Sequence, residues 1–65
     1  MNTETTIIRS IRATGETMVD WQNMLEIHAG LTAEGIDYDW STADATIDGV
    51  PHIVFATGPV TTTFS

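Results

Sequence analysis

Nine carboxylates face only two arginines in this 65-residue chain, which has no lysine and a formal charge of −7. Asp37 and Asp39 are the pair whose spacing suggests a specific chemistry. Side chains alternate along a strand, so two acids two positions apart share one face, ~7 Å from each other at ~3.4 Å per residue. This distance approximates the step between neighbouring phosphates, whose axial rise is ~3.4 Å and whose winding path is longer. Such a pair could imitate a nucleic-acid backbone.

Three further acids lie close to this pair in the sequence and extend the stripe if the chain folds into a hairpin beside it. The candidate partner-binding residues are therefore Glu34, Asp37, Asp39, Asp44 and Asp48. An acidic surface repels nucleic acid and anionic membranes and attracts proteins with basic grooves. The same acids are also typical of a solvated outer face that keeps a small sheet soluble and blocks edge pairing. Both interpretations stay open.

Patterns that would indicate catalysis or metal binding are missing from the sequence. There is no cysteine, no serine in a Gly-x-Ser-x-Gly context and no glycine-rich phosphate loop. The stretch from Asp37 to Asp48 lacks the register of a calcium loop, and no recognised spacing links His28 with His52. We therefore predict a non-enzymatic protein that acts by stoichiometric binding, with no catalytic residue, cofactor or metal site.

One helix is predicted, from about residue 16 to residue 29 or 34. Thr17 followed three positions later by Asp20 resembles a capping arrangement, and either Gly30 or Gly35 can end the helix. Apolar or bulky residues recur at helical spacing and predict the face that packs on the sheet. These residues are Met18, Trp21, Leu25 and His28.

Strands are predicted on both sides of this helix. Residues 5–13 are rich in β-branched types, with Ile7 and Ile11 on one face and Ile8 on the other. In residues 36–40, apolar and acidic residues alternate strictly. This alternation places Ile36, Tyr38 and Trp40 on one face of a strand and Asp37 and Asp39 on the other.

A hairpin and a short last strand complete the predicted sheet. Asp48 and Gly49 stand between two apolar runs and predict a tight primed turn, because that turn needs the positive φ that Asp and Gly tolerate. Pro51 has no N–H to donate, so it belongs at a sheet edge or a strand start. The Gly-Pro pair at 58–59 predicts another turn, followed by a strand within residues 60–64.

The elements together predict one α+β domain over residues 1–65, with residues 1–4 as a flexible N-terminus. One α-helix packs on a small, mainly antiparallel sheet of three to five strands, in the order β-α-β-β-β. No signal peptide or membrane span is evident, so a cytoplasmic protein is expected. The expected core consists of Ile7, Ile11, Met18, Trp21, Leu25, Ile36, Tyr38, Trp40, Ile47, Ile53 and Phe55.

In its small size, strong acidity, lack of cysteine and lysine, and mixed helix-and-strand pattern, the chain resembles the phage-encoded anti-CRISPR proteins, including type I-C inhibitors. The resemblance implies an inhibitor that occupies the DNA-binding surface of an effector complex in a bacterial host. The large subunit of a type I Cascade, which reads the PAM, is one such partner. No site residue is transferred to this chain by the resemblance.

Other classes of protein remain open. A halophile-adapted domain is also rich in acids and poor in lysine, and salt-dependent folding would identify it. An oligomer subunit or antitoxin-like module would pair through an exposed strand, for which Thr61–Phe64 is the expected edge. A monomer is favoured. Direct nucleic-acid binding is not expected, because Arg9 and Arg12 point to opposite faces of the first strand and make no basic patch.

Overall fold

A computed structural model describes residues 4–65, so the predicted flexible start at residues 1–4 lies, apart from Glu4, outside the described residues. One helix packs on a mixed sheet of four strands, which confirms the predicted α+β class and element order. Along the chain the elements are β1 (Thr6–Arg12), α1 (Thr17–Glu34), β2 (Trp40–Ile47), β3 (Val50–Thr57) and β4 (Thr63–Phe64).

The order of strands across the sheet is β1-β3-β2-β4. β3 is antiparallel to both of its neighbours, so β1 and β2 run parallel to each other and α1 connects them. β4 is parallel to β2 and pairs only with Thr46 and Ile47. Within the described chain, residues 40–45 of β2 therefore have a strand on one side only.

The predicted turns are present, and each follows from the backbone freedom of its residues. Asp48 and Gly49 have φ values of 53° and 80° in the turn between β2 and β3. Pro51 is the second residue of β3, and thus lies at a strand start as predicted. Gly58 has a φ of 101°, and a Cβ there would lie 2.6 Å from the carbonyl oxygen of Glu4. Only glycine fits this turn without a backbone shift.

The helix ends at Glu34, the later of the two predicted ends. Gly35 takes the left-handed conformation with φ 73°. Its N–H donates to the carbonyl of Thr32 (3.1 Å), and the N–H of Ile36 donates to the carbonyl of Leu31 (2.9 Å). These two bonds form a Schellman motif, which satisfies carbonyls that the helix end leaves free.

No helix within residues 4–65 is both long and apolar enough to cross a membrane.

The core has two clusters, one on each side of the sheet, and both are centred on β3. Residues 53–56 of β3 are buried, as expected of a strand covered on both faces. The helix-side cluster is Leu31, Ile53 and Phe55, with Ile8, Ile11, Ala13, Met24, Ile27, Tyr38 and Ala43 packed against it. The opposite cluster is Ala45, Val54 and Ala56, with Ile7, Trp40, Ile47 and Phe64 around it.

The predicted face pattern of β1 is wrong. Ile8 and Ile11 pack together on the helix side, whereas Ile7 belongs to the opposite cluster. The pairing register of β1 with β3 shifts between Ile7 and Arg9. Such a bulge adds one residue to a strand and thereby resets the alternation of its side chains.

The predicted buried face of α1 is also wrong. The exposed fractions of four expected core residues are 71% for Met18, 57% for Trp21, 51% for Leu25 and 37% for Ile36. His28 is exposed as well. The helix face that meets the sheet is instead formed by Asp20, Met24, Ile27 and Leu31. This set also has helical spacing, but it includes a carboxylate, which a search for apolar positions passes over.

Candidate partner-binding surface

The strand predicted over residues 36–40 does not form, since only Trp40 belongs to β2. Tyr38 turns to the helix side, where its Oη is 2.6 Å from Nδ1 of His28 and its ring meets Phe55 edge-on at 4.9 Å between centroids. Trp40 packs in the cluster on the opposite side. The residues before Trp40 form the connection from α1, so Asp37 and Asp39 are not neighbours on one strand face.

Asp39 has a structural task that its sequence position does not reveal. Its Oδ2 accepts a hydrogen bond from the N–H of Gly58 at 3.0 Å. Its own N–H donates to the carbonyl of Ala56 at 2.9 Å. Asp39 therefore holds the start of β2 to the turn that follows β3, although the residue remains exposed to solvent.

Glu34 and Asp37 lie at the end of α1, and only one of them is paired with a cation. Oε2 of Glu34 is 3.6 Å from Nη2 of Arg9. A surface ion pair of this kind is worth ~0–1 kcal/mol, yet it offsets the charge that Glu34 presents to a partner. Asp37 is exposed on the connection to β2.

Asp44 and Asp48 lie towards the hairpin end of β2. Asp44 is exposed in a bulge, where the register of β2 with β3 shifts between Thr42 and Ala45. Its N–H donates to Oγ1 of Thr42 at 3.1 Å. Asp48 is exposed at the hairpin turn, and its N–H donates to the carbonyl of Phe64 at 3.0 Å. Both carboxylates are thus presented to solvent by backbone that is held in place.

The five candidate acids form two groups and not one stripe. Asp39 and Asp48 flank β2, and at ~3.3 Å per residue they are at most roughly 30 Å apart along the chain. Glu34 and Asp37 belong with Asp39 at one end, while Asp44 and Asp48 belong to the other. Both arginines lie on β1, at the sheet edge opposite β2 and β4. The β2 edge is therefore the negative side of the sheet.

A groove runs beside β2, between this strand and the exposed side of α1. It consists of two adjoining hollows of about 370 and 130 Å³. Trp21 and Met24 line both hollows. The larger hollow also contacts Ala43 and Asp44 of β2, and the smaller one reaches Ser41 of the same strand. Sequence reasoning missed this groove because it assigned Trp21 to the core.

The predicted capping arrangement of Thr17 with Asp20 does not form, and Asp20 is instead buried (8% exposed) on the sheet side of α1. Its Oδ1 accepts hydrogen bonds from the N–H of Thr14 (2.8 Å) and the hydroxyl of Thr14 (2.7 Å), and its Oδ2 accepts one from the N–H of Gly15 (3.2 Å). The backbone and hydroxyl donors of Thr14 lower the pKa of Asp20, against the opposing effect of burial. Asp20 thus fastens the loop before α1, whereas the N-cap residue Glu16 makes no side-chain capping bond.

Residues 4–65 bring together no group of three His, Asp or Glu side chains that could hold a metal ion. Comparisons with protein-family models, with curated proteins and with solved structures find no match for this chain.

Proposed function

We propose that this protein is a non-enzymatic inhibitor that works in the cytoplasm of a bacterial host. Its acidic β2 edge occupies the DNA-binding groove of a basic protein, such as a CRISPR effector complex. The observation that supports the proposal is the asymmetry of charge within the sheet: the exposed Asp44 and Asp48 lie on β2 and its hairpin turn, and both arginines lie on the far strand, β1. Such a field steers a basic groove towards one edge and fixes its orientation.

The acids at and near this edge are expected to contribute unequally to binding. Asp44 and Asp48 contribute most, because both are exposed and lie four residues apart, at most ~13 Å along the chain. Two exposed carboxylates at such a separation can each meet a basic side chain along the groove. Asp37 adds a charge at the other end of the strand. Glu34 and Asp39 contribute less, since one is paired with Arg9 and the other with the N–H of Gly58.

The test is displacement of labelled duplex DNA from a purified type I-C effector complex, followed by fluorescence anisotropy. We expect the parent protein to release the DNA in proportion to its concentration and without turnover. The double variant Asp44→Lys with Asp48→Lys replaces two attractions by repulsions, which should raise the inhibitory concentration about 10- to 30-fold at low salt. The difference should shrink as salt rises, because the Debye length falls from ~10 Å at 0.1 M to ~3 Å at 1 M.

The matched control is Glu4→Lys with Glu26→Lys, which changes the net charge equally at two exposed positions outside β2. We expect this control to inhibit nearly as well as the parent. Equal losses in both double variants would show that overall charge matters and the β2 edge does not. If the folded Asp44→Lys, Asp48→Lys variant inhibits like the parent at every salt concentration, the acids are only a solubility coat.

A further inference from the structure

We infer that the groove between α1 and β2 binds an extended peptide segment that carries both basic and bulky apolar side chains, and that this segment adds to the open edge of β2 as a strand. The inference rests on the proposed function in one respect, since it takes the partner to be a basic protein. It goes further by naming the kind of segment that this edge holds.

The first observation is the apolar side of α1 that the sheet does not cover. Met18, Trp21 and Leu25 recur at intervals of three and four residues, so they form one line along the helix. Each is more than half exposed. Single exposed apolar residues are ordinary on a protein surface, whereas a contiguous set beside a groove marks an interaction site.

The second observation is the shape of the groove. Its larger hollow, about 370 Å³, is at the lower end of the sizes typical of ligand pockets. Because Trp21 and Met24 line both hollows, the groove follows β2 from Asp44 back to Ser41. A segment lying along it would place successive same-face side chains in the two hollows, since residues two apart on a strand point the same way.

The third observation is the open edge of β2. Residues 40–42 and Ala45 pair with β3 on one side, with the bulge at residues 43–44 between them, and β4 begins to pair only at Thr46. The N–H of Asp44 is already satisfied by the hydroxyl of Thr42, so an added strand would pair with the other backbone groups of this edge. Extended peptides bind proteins by adding to edges of this type: the main chain supplies hydrogen bonds, and pockets select alternate side chains.

The charge of this surface distinguishes between two possible occupants of the groove, a second copy of this chain and a basic segment of another protein. Asp44 lines the larger hollow, and the chain has a formal charge of −7. A second copy of this chain would bring the same charge and the same Asp44 to the shared edge, where like charges on paired strands destabilise the pairing. A basic segment is instead attracted to this side of the sheet. The occupant that fits is therefore an extended strand in which basic residues alternate with bulky apolar ones.

The probe is a fluorescein-labelled peptide of about eight residues in which lysine alternates with valine and leucine. Its binding to the full chain is measured by anisotropy and mapped by amide chemical shifts. We expect shifts along residues 40–45 and on the Trp21 side of α1. Trp21→Ala and Leu25→Ala should each weaken binding, the former about tenfold or more, as for a buried aromatic anchor. Val60→Ala is the control, since Val60 is 74% exposed outside the groove.

Two further probes separate strand addition from simple charge attraction. A peptide of the same sequence with alternate N-methylated residues cannot donate along one edge and should bind much more weakly. A peptide with glutamate in place of lysine should not bind. Equal binding of Trp21→Ala and Val60→Ala, or no shifts in β2, would overturn the inference. The inference would also be overturned if the parent protein forms a dimer in sedimentation and the Trp21→Ala variant does not. The result of the effector-complex assay is independent of these peptide tests, because the acids can block DNA binding even if this groove binds no peptide.

Discussion

Two leucines on α1 provide a direct test of which helix face is buried. The sequence pattern predicts that Leu25 packs on the sheet, whereas the structure buries Leu31 to 1% exposure and leaves Leu25 half exposed. Replacing either with alanine makes the same chemical change in the same helix, in its middle at Leu25 and in its last turn at Leu31. The difference in helix propensity between leucine and alanine is small, so the comparison mainly reports burial.

The two substitutions are expected to differ widely in their effect on the free energy of unfolding. Leu31 belongs to the helix-side cluster with Ile53 and Phe55, and a buried Leu→Ala change costs ~2–5 kcal/mol through lost burial and the cavity that remains. At Leu25 about half of the side chain is already in water. The lost burial is then below ~1 kcal/mol, no closed cavity forms, and the higher helix propensity of alanine offsets part of it. A 65-residue domain has roughly 3–10 kcal/mol in total, so Leu31→Ala removes a large share.

The assay is urea unfolding followed by circular dichroism at 222 nm, with tryptophan fluorescence as a second probe. Coincident transitions would justify a two-state treatment, and the shift in midpoint at constant m-value gives the change in the free energy of unfolding. A Leu25→Ala variant destabilised as much as Leu31→Ala would refute the assigned helix face. It would also mean that Met18, Trp21 and Leu25 do not form an exposed line on α1, which the peptide-binding groove requires.

The remaining predictions concern Asp20 and two glycines. Asp20→Asn should lower the melting temperature at neutral pH, because a neutral amide is a weaker acceptor for the donors of Thr14 and Gly15. The folded pKa of Asp20 is lowered, so its contribution is complete above the unfolded pKa of ~3.9 and is lost as pH falls through the folded pKa. The melting curves of parent and variant should therefore converge in acid, and a constant gap down to pH 2 would contradict this. Gly58→Ala should cost roughly 1–3 kcal/mol or more through strain at positive φ and contact with the Glu4 carbonyl. Gly30 lies within the helix, and a Cβ added there would have no atom within 4 Å apart from the nearby helix backbone. Gly30→Ala should therefore stabilise by ~0.5–1 kcal/mol in thermal melts. A loss of stability in Gly30→Ala, or no change in Gly58→Ala, would show that these backbone assignments are wrong.

Features set by local backbone chemistry could be predicted from the sequence. The turn at Asp48 and Gly49 depends on positive φ, and so does a helix end at a glycine, because these residue types tolerate that conformation. The element order follows from such turn signals and from runs of apolar residues. The choice between Gly30 and Gly35 could not be made locally, because it depends on whether Leu31 has a core to enter.

Face assignments could not be predicted, because they depend on partners distant in the chain. Two sets of positions on α1 have helical spacing, and the buried set contains Asp20, whose charge is stabilised by donors from the preceding loop. A period search selects the more apolar set, which is the exposed one here. In β1 and β2, bulges between Ile7 and Arg9 and between Thr42 and Ala45 reset the alternation, and no residue type marks either bulge in advance.

The same dependence on distant donors separates the acids that maintain the fold from those free to meet a partner. Asp39 accepts from Gly58, nineteen positions away, and Asp20 accepts from Thr14. Net charge counts these carboxylates equally with Asp44, which presents its side chain at the open edge of β2. Composition can therefore predict that a basic partner is attracted, because the far field is a sum over all charges. The binding edge follows only from the fold, which places Asp44 beside an uncovered strand and groove and places both arginines on the opposite edge.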